Sequence, residues 1–207
     1  MKKAIIASLL LSASSGAFAT ESNINWNLID ASYSTISLDE DALGLEPSGF
    51  AISGSYLVND NVFILGGYSN LTDDITLSGE FGDTSFSFTM DVDITTMQLG
   101  AGYRLAFREN MEGYATLSYL NYEVGTNDAN GSIIAAGVKY QVKPQIQVFG
   151  QIASWNTSSD GEDVESYSDT EFKVGASYTF KNNFSVTSSY AMLEDHSVFN
   201  LGGAYYF

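Results

Sequence analysis

The residues equipped for chemistry are few and scattered. The chain has one histidine, His196, with Asp195 before it and Ser197 after it. An imidazole beside a carboxylate or a hydroxyl can serve as a general base. In a strand, however, adjacent residues point to opposite faces, and a dyad on one face needs spacing two. Asp91 and Asp93 form an Asp-x-Asp pair at the rim of another loop. Carboxylates at Asp39, Glu40 and Asp41, and at Asp160, Glu162 and Asp163, suit weak binding of hard divalent cations. No EF-hand pattern is present, and Asp128, Asn130 and Gly131 read as a turn. Without cysteine the chain has no disulfide and no thiolate metal site. The lone loop histidine reads as polar surface, so neither catalysis nor a cofactor is expected.

The elements that hold these residues are constrained by composition. The chain has 207 residues, a formal charge of −17, 25 acidic against 8 basic residues, and 14% aromatics. One domain is expected. A nucleic-acid binder would need a basic face, and disorder does not fit so many aromatics with only 16% charged residues. A helical membrane protein would need apolar runs of about 20 residues, which do not occur. Residues 1–19 read as a secretory signal peptide: Lys2 and Lys3, an apolar stretch over 4–11, and Ala17-Phe18-Ala19 as the cleavage pattern. Residues 20–207 are then the mature domain.

Within that domain, alternation dominates. Apolar residues occupy every second place in the segments 50–58, 97–105, 134–142, 172–180 and 199–207, with small or polar residues between them. That is the pattern of strands with one apolar and one polar face. Each segment ends in tyrosine, one residue, then an apolar residue, which places Tyr56, Tyr103, Tyr140, Tyr178 and Tyr205 on the apolar face. After the first four a tight polar turn follows, as expected between antiparallel strands. Return strands fit near 62–70, 111–124, 146–155 and 184–192, and a first strand near 25–35. In 111–124 the outward set is either Ala115, Leu117, Tyr119 or Tyr114, Leu120, Tyr122. The far ends are joined by longer segments at 37–47, 71–93, 125–131, 156–169 and 193–197, with 71–93 read as strands running past the main sheet.

The expected fold is all-β: a transmembrane antiparallel up-and-down barrel of ten strands, with eight as the alternative. A recurring tyrosine beside each short turn is where aromatics belong at a water–lipid boundary. Closure pairs every backbone group, which hydrocarbon demands. With its signal peptide, its glycine-and-tyrosine hairpins and the ending Gly202-Gly203-Ala204-Tyr205-Tyr206-Phe207, the chain resembles the small outer-membrane β-barrel family of Gram-negative bacteria. That family includes outer membrane protein X and the barrel of outer membrane protein A, whose best-known members have eight strands. The resemblance implies residence in the outer membrane as a monomer. It also implies a C-terminal signal for the assembly machinery at Phe199, Leu201, Gly203, Tyr205 and Phe207. Omptin proteases, also ten-stranded, pair aspartates with an Asp-His dyad, but the spacing here and the shorter chain match them only in part.

Charge is sorted by end. Most acids fall in or beside the long segments, Asp169 and Glu171 among them, whereas Arg104, Arg108, Lys139, Lys143 and Lys181 cluster at the short turns. The acidic end is expected outside the cell, where divalent cations would bridge it to lipopolysaccharide. Alternation sends Gln98, Arg104, Lys139, Gln141 and Lys173 inward, joined by Gln147 and Gln151. They fit a hydrogen-bonded plug better than a water-filled path. The function expected is structural or surface-interacting, with a narrow cation-preferring channel as the alternative and an omptin-like protease behind it.

Overall fold

The computed structural model describes residues 23–38, 46–81, 84–125, 127–159 and 167–207. The signal segment at 1–19 and both carboxylate clusters, at Asp39, Glu40 and Asp41 and at Asp160, Glu162 and Asp163, lie outside the described residues. The ten strands are β1 (Leu28–Leu38), β2 (Ser48–Leu57), β3 (Val62–Phe81), β4 (Thr84–Arg108), β5 (Met111–Val124), β6 (Asn127–Lys143), β7 (Ile146–Ser159), β8 (Tyr167–Thr179), β9 (Phe184–Met192) and β10 (His196–Tyr206). Each pairs antiparallel with its chain neighbours, and β1 closes the ring on β10 from Leu28↔Tyr206 to Leu38↔His196. No sheet edge is left open around this ring, as a membrane requires.

The wall has the alternation of its sequence. Phe50 and Leu99 are 75% and 70% exposed on the outside, and Tyr56, Tyr103, Tyr140, Tyr178 and Tyr205 stand exposed on the same face. An apolar surface this continuous is uncovered only when water is not its solvent. In β5, Leu117 and Tyr119 face out and Leu120 is buried within, which settles the open alternative. At one end the connections are tight. The Asn59 Oδ1 accepts from the amides of Asn61 (3.0 Å) and Val62 (2.9 Å). Asn183 adopts a φ of 65°, a left-handed conformation that asparagine tolerates.

The strands outrun their expected limits at the other end. The segment 125–131 is not a loop: Val124 pairs with Asn127, the chain reverses at Gly125 (φ 60°), and Asp128, Asn130 and Gly131 belong to β6. Such polar residues are poor strand formers, but here the partner strand β5 supplies the ladder, and Asn121 donates to Asn130 (3.1 Å). Likewise His196 opens β10 rather than lying in a loop. The first strand begins at Leu28, later than expected.

Beyond Thr72 and Ile94, where β2 and β5 stop pairing, β3 and β4 continue alone as a two-stranded ribbon. Asp91 and Asp93 are exposed in this ribbon, not on a loop. Asp91 stands opposite Asp74. Hydrogen bonding with Asp91, and then its charge, hold the Asp74 carboxyl above the usual carboxylate range. A carboxylate with a raised folded-state pKa opposes folding when ionised, and that opposition is relieved as pH falls through the folded pKa. Hydrogen-exchange protection of the ribbon amides, corrected for intrinsic rates, should therefore rise on acidification. Asp91→Asn should flatten the profile. A flat profile in the unsubstituted chain would contradict the pairing.

Candidate functional site

The inside of the barrel at the short-turn end holds the densest set of interacting side chains. Glu112, the second residue of β5, is 0% exposed. Its Oε1 lies 2.8 Å from a guanidinium nitrogen of Arg104 on β4, and its Oε2 accepts from the Trp26 indole Nε1–H. Lys139 of β6, register partner of Glu112, places its Nζ 3.6 Å from the centroid of the Trp26 ring. Two cations thus enclose one carboxylate and one indole. The Trp26 ring lies 4.3 Å from Phe63 and meets Tyr114 edge-on at 5.3 Å. Together, a buried ion pair and an aromatic cluster fill this level of the lumen.

Polar contacts continue upward from there. The Tyr114 hydroxyl donates to Gln151 (3.0 Å), and Gln151 donates to Glu171 (3.1 Å). Asp169 and Glu171, read from sequence as outer-loop acids, are instead buried in the wall of β8. Charge alone suggested solvent, but a polar interior offers donors as well. Above, Leu120, Ile133, Ala135 and Ala153 form a second, apolar cluster with Trp155 against it.

Space for the rings comes from glycine. Phe63 is register partner of Gly102, Tyr114 of Gly137, and Phe149 of Gly175. A Cβ on Gly137 would lie 2.5 Å from the Tyr114 ring, and one on Gly175 would lie 2.5 Å from that of Phe149. Each ring therefore lies flat across the neighbouring strand, where no other residue would leave room.

The expected lumen residues are distributed as follows. Arg104 and Lys139 lie in the ion-pair cluster. Gln98 and Lys173 are half-buried between outward-facing neighbours. Gln141 donates to the carbonyls of Lys143 (2.7 Å) and Pro144 (3.1 Å) and lines a cavity of about 470 Å³ at the short-turn mouth with Gln147, Asn25 and Asn110. The residues 199, 201, 203, 205 and 207 alternate outward along β10 and past its end. Glu112 and Trp26 were not anticipated. Among the described residues no three His, Asp or Glu side chains gather as metal ligands. His196 on β10 is separated from Asp91 and Asp93 on β4 by β3, β2 and β1.

A closed antiparallel ring with an apolar outside and a polar, packed inside defines a membrane-spanning β-barrel. The chain belongs to the outer membrane protein beta-barrel domain family, whose model matches residues 5–200. It is therefore an outer-membrane barrel. Among solved structures it is similar to the beta domain of the Bordetella autotransporter BrkA (TM-score 0.56, 10% identity, covering 89% of this chain and 100% of that one). It is also similar to the NanC porin (TM-score 0.50, 8% identity, covering 86% and 100%). At such identities the likeness is one of fold alone. No curated protein matches the sequence.

Proposed function

We propose that this barrel is a structural and surface-interacting protein of the outer membrane, closed to ions at rest and without hydrolytic activity. The observation that carries the reading is Trp26, 3% exposed inside the lumen and fixed between Glu112, Lys139 and Phe63. A standing channel would not keep an indole there. Against hydrolysis stand the exposure of Asp91 and Asp93 in the two-stranded β3–β4 ribbon and the adjacency of Asp195 to His196, which denies that pair a common strand face. In this reading the tyrosine row beside the short turns sits at the lipid boundary, residues 199–207 address the assembly machinery, and the acidic end meets lipopolysaccharide and divalent cations.

Planar-bilayer recording of the purified chain tests it. Silence is expected. Steady cation-selective steps would instead establish the narrow channel, toward which an acidic mouth would draw cations.

A further inference from the structure

Residues 23–27 belong to no strand, yet they carry Trp26, one of the buried rings of the lumen. Asn27 is fastened to both neighbours of β1. Its Oδ1 accepts from the Leu57 amide of β2 (2.8 Å), and its carbonyl accepts from the Phe207 amide beyond β10 (3.1 Å). From there the segment crosses the barrel. The Asn23 amide donates to the Glu109 carbonyl in the β4–β5 turn (3.0 Å), and Arg104 donates to the Ile24 carbonyl (3.3 Å). The Lys139 ammonium over Trp26 comes from β6, the strand opposite β1 in the ring.

The fastening differs in kind from that of the wall. Every strand is held by backbone ladders on both sides, whereas residues 23–26 join no ladder and are held by hydrogen bonds, by the Trp26 ring contacts with Phe63 and Tyr114, by the Lys139 ammonium over that ring and by the burial of Ile24 and Trp26. Segments with few backbone partners open at lower cost than the sheet around them. Water also has access from below, through the cavity of about 470 Å³ that Asn23 and Asn25 help to line.

What the segment covers is also informative. It packs against Ser55 and Leu57 at the short-turn end of β2 and against the aromatic half of the wall, β3 to β6. The facing half, β8 round to β2, turns Ser177, Thr187, Ser189, Ser32 and Ser53 inward beside Asp30, Lys173, Asn200 and Tyr206, and Ser53 is exposed although it faces the lumen. In eight-stranded barrels side chains just fill the interior. Ten strands enclose a wider lumen, and the exposed Ser53 marks space beside the strap that water reaches.

We infer that residues 23–26 are a removable plug hinged at Asn27, and that the barrel is a latent pore for small ions, opened when the strap withdraws toward the short-turn side. The inference rests on the closed resting state proposed above. Glu112 is the latch, holding Trp26 through its indole and the strap through Arg104.

The test uses the full mature chain, folded as shown by heat-modifiable gel migration, in planar bilayers. Unsubstituted protein should be silent; if it conducts, the resting-state reading fails, and the plug with it. Trp26→Ala should gain discrete ion-conducting steps, and silence from this variant when folded would overturn the plug alone. Because Trp26→Ala also removes packing, Ile24→Cys provides an independent arm. The chain has no other thiol, so a charged methanethiosulfonate reports only on the strap. Slow modification in the folded barrel, followed by the onset of conductance, is expected. A thiol that stays unreactive, or one that reacts without conductance, would overturn the inference.

Discussion

Replacing Glu112 with leucine should destabilise the barrel by about 3–5 kcal/mol, the cost of breaking a buried ion pair from one side. The reason lies in the charges that remain. Arg104, with its side chain 15% exposed, and Lys139 on the opposing strand both turn toward Glu112. Without the carboxylate, two cations face one another in a space with little water. Trp26 also loses the acceptor of its indole N–H. Removing Arg104 as well, in Arg104→Met with Glu112→Leu, should restore part of the loss, because no guanidinium is then left unpaired. Glu112→Gln, which retains an acceptor for the indole, should cost less than leucine. Urea titration of the folded barrel in lipid vesicles would measure all of these. Additive losses from the Arg104 and Glu112 substitutions would mean that the two do not act as a pair.

The prominence of Glu112 explains which parts of the molecule were legible in sequence. The five alternating segments were legible because their outward positions meet lipid and their inward positions are small or polar, so the two faces contrast. β5 was ambiguous for the opposite reason. Its inward residues Tyr114 and Leu120 fill the lumen and its outward residues Leu117 and Tyr119 meet lipid, so both faces are apolar. With that phase unresolved, Glu112 could not be assigned to the interior. Trp26 was absorbed into an expected first strand over 25–35. A signal was present: Ile24, Trp26 and Leu28 share one parity, while Ile29, Ala31 and Tyr33 take the other. Even-numbered residues face inward throughout, so apolar residues at 24, 26 and 28 mark an inner face with something to pack, and the change to apolar odd positions falls beside the end of the strap. The outer ends were misjudged because composition favours loops for Asn, Asp and Gly, whereas pairing with a neighbouring strand overrides that preference. The carboxylates buried in β8 were misjudged because alternation gives the direction of a side chain but not the depth of its surroundings.

Alanine at Gly102 should be tolerated only when Phe63 is also cut down. The two are direct register partners on the inner face, and the Phe63 ring is 1% exposed. A Cβ on Gly102 would overlap that ring. The ring cannot move away, because its other side rests on Trp26 at 4.3 Å with an interplanar angle of 36°. Gly102→Ala alone should therefore cost about 1–3 kcal/mol as overpacking. Phe63→Ala alone removes a buried ring and should cost about 3–5 kcal/mol. In the double variant the new methyl enters space that the ring has vacated, so the overpacking cost should vanish and the loss should fall short of the sum of the two single losses. Unfolding midpoints in the same vesicles would decide it, and strict additivity would show that ring and glycine do not compete for one volume. The variants also separate packing from charge at this level of the lumen. Both leave Arg104, Glu112 and Lys139 in place, yet Phe63→Ala takes away the surface on which Trp26 lies. If ring contact holds the strap, Ile24→Cys in the Phe63→Ala background should react faster than in the otherwise unchanged chain. An unchanged rate would place the hold on the Glu112 latch instead.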